Sequence, residues 1–225
     1  NESAAVVESV GSISGSLNED EVWVIVKRIV NGSTRRYVEC FSDFDFDETT
    51  ASDFHFVDSG LSYDGTATTS ITGLDHLEGQ TVQILADGST HADKIVSSGA
   101  ITLDRSSKKV KVGLGYNSVL QTMRVEGGSA EGTGQGKVKR ISKVVLRLFN
   151  TVGVKCGPSL TNLETVPFRT TSSDMDNPVS TLLAGDKTVE FTDDYNSDGF
   201  IFVKQDQPLP LSILAIYPTF VISDG

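Results

Sequence analysis

The sequence is poor in the residues that build reactive centres, with three histidines, two cysteines and one tryptophan in 225 residues. Cys40 and Cys156 lie too far apart to suggest a disulfide framework, and a chain this long can build a core without staples, so two buried reduced thiols are expected. His55, His76 and His91 have no metal-like spacing to one another or to the cysteines, which argues against zinc. No stretch approaches the roughly 18 apolar residues of a membrane-spanning helix. Asn1 to Val10 lacks the basic and apolar regions of a signal peptide, so no membrane span is expected. The chain opens on Asn rather than Met, as a fragment of a longer product would. Cations are scarce too. Lys and Arg number 19 against 30 Asp and Glu, and 19 − 30 = −11, with a pI near 4.7. That balance argues against a protein whose whole surface holds nucleic acid or an anionic membrane.

The charge that is present is polarised. Residues 1 to 60 carry 12 acidic and 4 basic side chains, residues 101 to 148 carry 10 basic and 3 acidic, and residues 174 to 206 carry 8 acidic and 2 basic. The three segments are therefore −8, +7 and −6. Such segments pair within one fold or across subunits and supply steering and specificity more than affinity.

Local patterning reads as β throughout. Over Glu21 to Phe41, Val22, Val24 and Val26 alternate with Trp23, Ile25 and Lys27. Asn31-Gly32 then interrupts before Arg36-Tyr37-Val38-Glu39-Cys40-Phe41. This predicts a β-hairpin, because Asn-Gly takes the positive φ angles of a type I′ turn. Thr81-Val82-Gln83-Ile84-Leu85 before Asp87-Gly88 predicts a second one. Shorter strands are expected at Ala100 to Leu103, Val110 to Leu114, Val166 to Thr170, Thr188 to Phe191, Phe200 to Val203 and Leu211 to Ile216, with turn residues between them. Lys137 to Asn150 also fits a helical stripe, yet its β-branched content favours a strand. Gly127 to Gly136 reads as a loop or linker, and Gln207-Pro208-Leu209-Pro210 as a crossing between sheets or an edge. The expected class is all-β, with sandwich or propeller-like strands.

Candidate sites are few. Asp43, Asp45 and Asp47 alternate with Phe44 and Phe46, which in a strand puts three carboxylates on one face. A solvated acidic face is the favoured reading over a metal site, and a basic segment of a neighbouring subunit is the functional alternative. Asp194, Asn196, Asp198 and Gly199 spell the first half of an EF-hand calcium loop. The bidentate Glu expected at its end is replaced by Gln205, and Phe200 to Val203 reads as strand, so a polar hairpin tip is favoured over calcium. Neither G-x-S-x-G nor G-x-x-x-x-G-K-[ST] occurs. Lys137, Lys139, Arg140, Lys143 and Arg147 form a basic run without interleaved aromatics. It reads as a solvated or inter-subunit strand face rather than a single-strand nucleic-acid site. No cofactor is expected.

Several segments together suggest a family. They are Glu21-Val22-Trp23-Val24-Ile25-Val26-Lys27-Arg28 with Asn31-Gly32 and Arg36-Tyr37-Val38-Glu39, then Gly73 to Gly79, Val82 to Gly88, Gly99 to Leu103, Val112 to Tyr116, and Gln207 to Ala215. In this order they resemble the tail nozzle or tail tubular proteins of short-tailed double-stranded DNA bacteriophages. The middle segment is similar to the small SH3-like β-barrel also found in ubiquitin-activating enzymes. The resemblance implies a non-enzymatic virion protein of the phage tail. It would stand as six copies in a ring around the DNA channel, below the portal and next to the tail adaptor and possible tail fibre proteins, with genomic DNA passing without sequence-specific binding. It also implies an organisation into a hairpin region over 1–70 at the end of a propeller, a small barrel over 71–116, and a β-rich domain over 117–225. On this reading Asp43, Asp45 and Asp47 lie at a channel or subunit face. The competing reading is a receptor- or glycan-binding module of a tail fibre or secreted protein, using Trp23, Tyr63 or Tyr195. An enzyme such as a capsule depolymerase has no triad or metal set here to support it.

Overall fold

The computed structural model describes residues 5–15, 20–42, 50–127, 132–168, 182–191 and 194–223. Apart from one 3-10 turn at Asp75–Leu77, every regular element among them is a β-strand, and every pairing is antiparallel. The protein is all-β. It divides into two compact units, one comprising Asn1–Glu48 and Ser52–Gly115, the other Thr49–Ala51 and Tyr116–Gly225.

The first unit holds two sheets. In one, β1 (Val6–Ser14), β2 (Asp20–Val30) and β3 (Ser33–Cys40) pair in sequence order. The Asn31-Gly32 turn has φ of 48° and 69°, the type I′ geometry whose twist matches the strands it joins. In the other, β4 (Asp58–Thr72), β5 (Thr81–Ala86), β6 (Ser89–Ile95) and β7 (Ala100–Leu114) run in the order β4-β7-β5-β6. Asp87 and Gly88 join β5 to β6 with φ of 49° and 80°. The Asp87 carboxylate also accepts the N–H groups of Lys108 and Lys109 at 3.0 and 2.9 Å, pinning the turn to β7. The core of this sheet takes Ile71, Val82, Ile84, Ile101, Leu103, Val110 and Val112 from the strands and Leu74 and Leu77 from around the 3-10 turn.

Two features of this unit differ from the sequence pattern. The two short strands expected at Ala100 to Leu103 and Val110 to Leu114 are one strand, because the polar stretch between them pairs with β4. The division expected at residue 70 falls inside β4, which runs along β7 from Asp58 to Thr72.

The second unit is a β-sandwich. One sheet has the order β11-β10-β13-β8, from β8 (Ser118–Gln121), β10 (Lys155–Ser159), β11 (Asn162–Thr165) and β13 (Phe202–Gln205). The other has the order β12-β9-β14, from β9 (Val138–Thr151), β12 (Leu183–Glu190) and β14 (Ser212–Ser223). Ile141, Val144, Leu146 and Leu148 of β9 share one core with Cys156 of β10 and Val203 of β13, so the two sheets face each other. The proline segment after β13 carries the chain from one sheet to the other, as its composition suggests. Val166–Phe168 is not strand. β11 ends at Thr165, and Val166 turns inward, donating its N–H to the Val154 carbonyl at 2.9 Å.

Candidate interaction surfaces

The β1–β3 sheet is built from a strand of strong alternation. Val24, Val26, Arg28 and Val30 of β2 are buried, whereas Ile25 and Ile29 on the opposite face stay exposed. The ladder sets Val38 against Ile25, Arg36 against Lys27 and Cys40 against Trp23, so these neighbours share the outer face. β1 has no buried residue at all, although Val6, Val7, Val10 and Ile13 are apolar, and Val10 and Val38 are each 68% exposed. Its second backbone edge pairs with no described strand. Glu8 sits at a bulge in β1 and clasps Arg36 across the sheet, with O–N distances of 2.7 and 3.2 Å, and approaches Lys27 at 3.7 Å. This pairing holds the Glu8 carboxyl below its usual range.

Beneath the same sheet lies a polar joint. The Arg28 side chain, 1% exposed, donates to both Glu39 oxygens at 3.1 and 2.9 Å and to Asp58 at 2.9 Å. Ser59, held at φ 49°, donates its hydroxyl to Glu39 at 3.0 Å. The Ser59 carbonyl lies 2.9 Å from His76 Nε2, and the Tyr37 hydroxyl donates to the His76 carbonyl at 3.2 Å. β2 and β3 are thus fastened to β4 and the 3-10 turn, with Nη1 of Arg28 buried and left without a hydrogen-bond partner among the described residues.

The basic run of the second unit is split by a bulge. Thr219 of β14 opposes Lys143 and Phe220 opposes Ile141, leaving Ser142 as the extra residue. The bulge changes the phase of β9, so Lys139 and Ile141 join Val144, Leu146 and Leu148 on the buried face. Lys139 is therefore no part of an exposed basic face. Its ammonium donates to the Val125 carbonyl at 3.1 Å, and its backbone pairs with Asn196. Arg140 is exposed, Lys143 is half-buried opposite Glu190, and Lys137 is half-buried just before the strand. Arg147 makes a two-pronged pair with Asp186 at 2.8 and 2.9 Å, its guanidinium 5.3 Å from the Tyr217 ring centre. That pair raises the Arg147 pKa and lowers that of Asp186. Three cations, an acidic flank on β12 and an exposed Tyr217 and Val221 on β14 thus share the outer face of this sheet.

The Asp194-x-Asn196-x-Asp198-Gly199 segment forms a polar turn. Asn196 Oδ1 accepts the N–H groups of Asp198 and Gly199 at 3.0 and 2.7 Å, and Asp198 pairs with Arg124 at 2.8 Å. Asn196 Oδ1 and Asp198 Oδ1, two of the oxygens a cation would need, are engaged in the turn and the ion pair. Among the described residues no cluster of three His, Cys, Asp or Glu is placed to hold a metal. Asp43, Asp45 and Asp47 lie outside the described residues. Trp23 is half-buried and donates its indole N–H to Glu21 at 3.0 Å, Tyr63 packs against the first unit's core, and Tyr195 is exposed. Cys156 is buried, its thiol pushed up to about 12 by desolvation, which makes it inert. Cys40, expected to be buried, is exposed, because its register opposite Trp23 puts it on the outer face.

The sequence pattern does not single out β1, whose Val6, Val7, Val10 and Ile13 follow no strict alternation with its polar residues, and it carries no trace of the Ser142 bulge. No helix among the described residues is long and apolar enough to cross a membrane. A scan against protein-family models finds no match to the chain, and a search of curated proteins finds none.

Proposed function

We propose that the chain is a structural component of a bacteriophage tail, packed with copies of itself into a ring-shaped nozzle or tube through which DNA passes. The observation that carries the reading is the β1–β3 sheet. A nine-residue strand with four exposed apolar side chains and an edge that pairs with no described strand is what monomeric β-proteins avoid and what subunit interfaces use. The segment resemblance to tail nozzle proteins supplies the kind of assembly, and the net charge of −11 suits a channel along which phosphate must slide without adhering. Virion localisation, contact with a tail adaptor and the absence of enzymatic activity belong to the same proposal. Glycan binding by the isolated chain would instead support a receptor-binding module.

The test is the solution mass of the chain and of a Val10→Lys, Val38→Lys variant. The proposal expects a multiple of 24.1 kDa for the natural sequence and a return toward 24.1 kDa in the variant, with its β signature retained. A natural chain that stays at 24.1 kDa at high concentration, with tail adaptor added, contradicts it.

A further inference from the structure

A glycine-rich strap over 132–137 lies against the end of β14 in the second unit, just before β9. Gly134 is buried there, its backbone so close to Ile222 that a Cβ would stand 2.9 Å from Cδ1. The same Cβ would stand 3.1 Å from the Gly127 carbonyl oxygen, and Gly127 in turn lies against the Phe220 ring. Phe220 and Val125 both pack on the core of the sandwich. The strap therefore covers side chains that wall this core.

Glycine at 132, 134 and 136 makes the segment costly to order, and Thr133, Gln135 and Gly136 are exposed, so apolar burial does little to offset that cost. Its polar contacts converge on one carboxylate. The Thr133 hydroxyl lies 2.9 Å from each Glu126 oxygen, and the Gly134 N–H donates to Oε1 at 2.7 Å. Thr133 Oγ1 also accepts the Gln135 N–H at 3.1 Å, which closes the turn around the carboxylate. Hydrogen bonds to an ionised acceptor are roughly twice as strong as neutral ones. The Gly134 N–H first, and then the Thr133 hydroxyl, lower the Glu126 pKa, and the ammonium of the buried Lys139 on β9 adds to them. Phe220 and Ile222, on the β14 side, carry no charge.

We propose that Glu126 is a latch: its ionised carboxylate holds the strap closed over this end of the sandwich, and protonation releases the strap while the rest of the unit stays folded. The closed form depends on the anion, since a neutral carboxyl accepts more weakly from the same donors and no longer faces Lys139 with a charge. Because the closed form lowers the pKa, the contribution of Glu126 is fully present above the ordinary 4.5 and is lost as pH falls through the lowered value. Opening uncovers Ile222, Phe220 and the Lys139 ammonium, an apolar surface with a cation that the closed form hides.

The experiment follows amide hydrogen exchange of the full chain by NMR between about pH 7 and pH 3. Glu126→Gln reproduces the protonated side chain, and Thr133→Val removes the hydroxyl while leaving the carboxylate. At neutral pH, Glu126→Gln is expected to lower the protection of the Gly134 amide about tenfold, while the Leu146 and Val203 amides in the core stay protected. In the natural chain the same loss appears only below pH 4.5, and in Glu126→Gln the protection is low throughout. Thr133→Val gives a smaller loss that keeps its pH dependence, and it carries the test should Glu126→Gln fail to fold. Gly134 protection that is unchanged in both variants, or lost only together with that of Leu146 and Val203, overturns the proposal. So does a pH dependence that persists in Glu126→Gln.

Discussion

Arg28 is the residue on which the first unit turns. Its guanidinium is out of solvent, and its charge is tolerable only because Glu39 and Asp58 stand against it. Removing one member of such a set strands the others, which costs more than the set contributes. Arg28→Met is therefore expected to destabilise the unit by about 3 kcal/mol, measured by urea unfolding, and Glu39→Gln by less, since Asp58 remains. His55 is the residue that responds to pH. Burial, and then the nearby Lys111 ammonium, lower its pKa below the ordinary 6.5. The fold thus favours neutral imidazole while the unfolded chain takes up a proton near 6.5. The stability tied to this residue is fully present above that pH and is lost as pH falls from 6.5 toward the lowered folded value. His55→Gln should flatten this part of the stability profile between pH 7 and 5. An unchanged slope would mean that the imidazole is not desolvated in the fold.

At the scale of elements, the turn residues and the alternating strands were the legible part. Asn31-Gly32 and Asp87-Gly88 adopt the positive φ pairs their chemistry requires, and β2, β3 and β5 lie where period-two alternation puts them. The Asn31-Gly32 turn gives a clean test. A Cβ at Gly32 would meet nothing within 4 Å, so Gly32→Ala is opposed only by φ of +69°, at a cost of about 1 kcal/mol. At Gly11, equally open and not at positive φ, the same change should be neutral within about 0.5 kcal/mol, both read from thermal or urea unfolding. What the sequence hid has physical reasons. β4 is interrupted by Asp and Gly, residues depleted in strands, and has few large apolar side chains to mark it, so it is made a strand by pairing along β7. The basic run looked like one face because strict alternation contains no bulge. Ser142 is the inserted residue, and it sends Lys139 into the core while Arg140, Lys143 and Arg147 remain on the outer side. The calcium-like Asp194 to Gly199 segment has the right letters, but in the fold its Asn closes a turn and its Asp198 meets Arg124.

For the whole molecule, the decisive contrast is between a second unit that packs its two sheets against each other and a first unit that buries one face of its β1–β3 sheet and leaves β1 exposed throughout. In the second unit, Ile141, Leu146, Cys156 and Val203 close a shared core. In the first, Val6, Val7, Val10 and Ile13 contribute apolar surface without burying it. Among the described residues β1 is held only by its ladder to β2, which gains little against the entropy of ordering it, and in the proposed assembly its side chains become stabilising by contact with a neighbouring subunit. In the proposed assembly the charge pattern would orient such neighbours, since charged pairs like Glu8 with Arg36 and Asp186 with Arg147 lie on outer sheet faces.

The central claim, self-assembly around a channel, is tested most directly by negative-stain electron microscopy of the chain at the concentration where its solution mass is measured. The account predicts rings with a central hole wide enough for a DNA duplex, lost when Val10 and Val38 are both replaced by Lys. A field of single 24.1 kDa particles, or assemblies with no central opening, would contradict it.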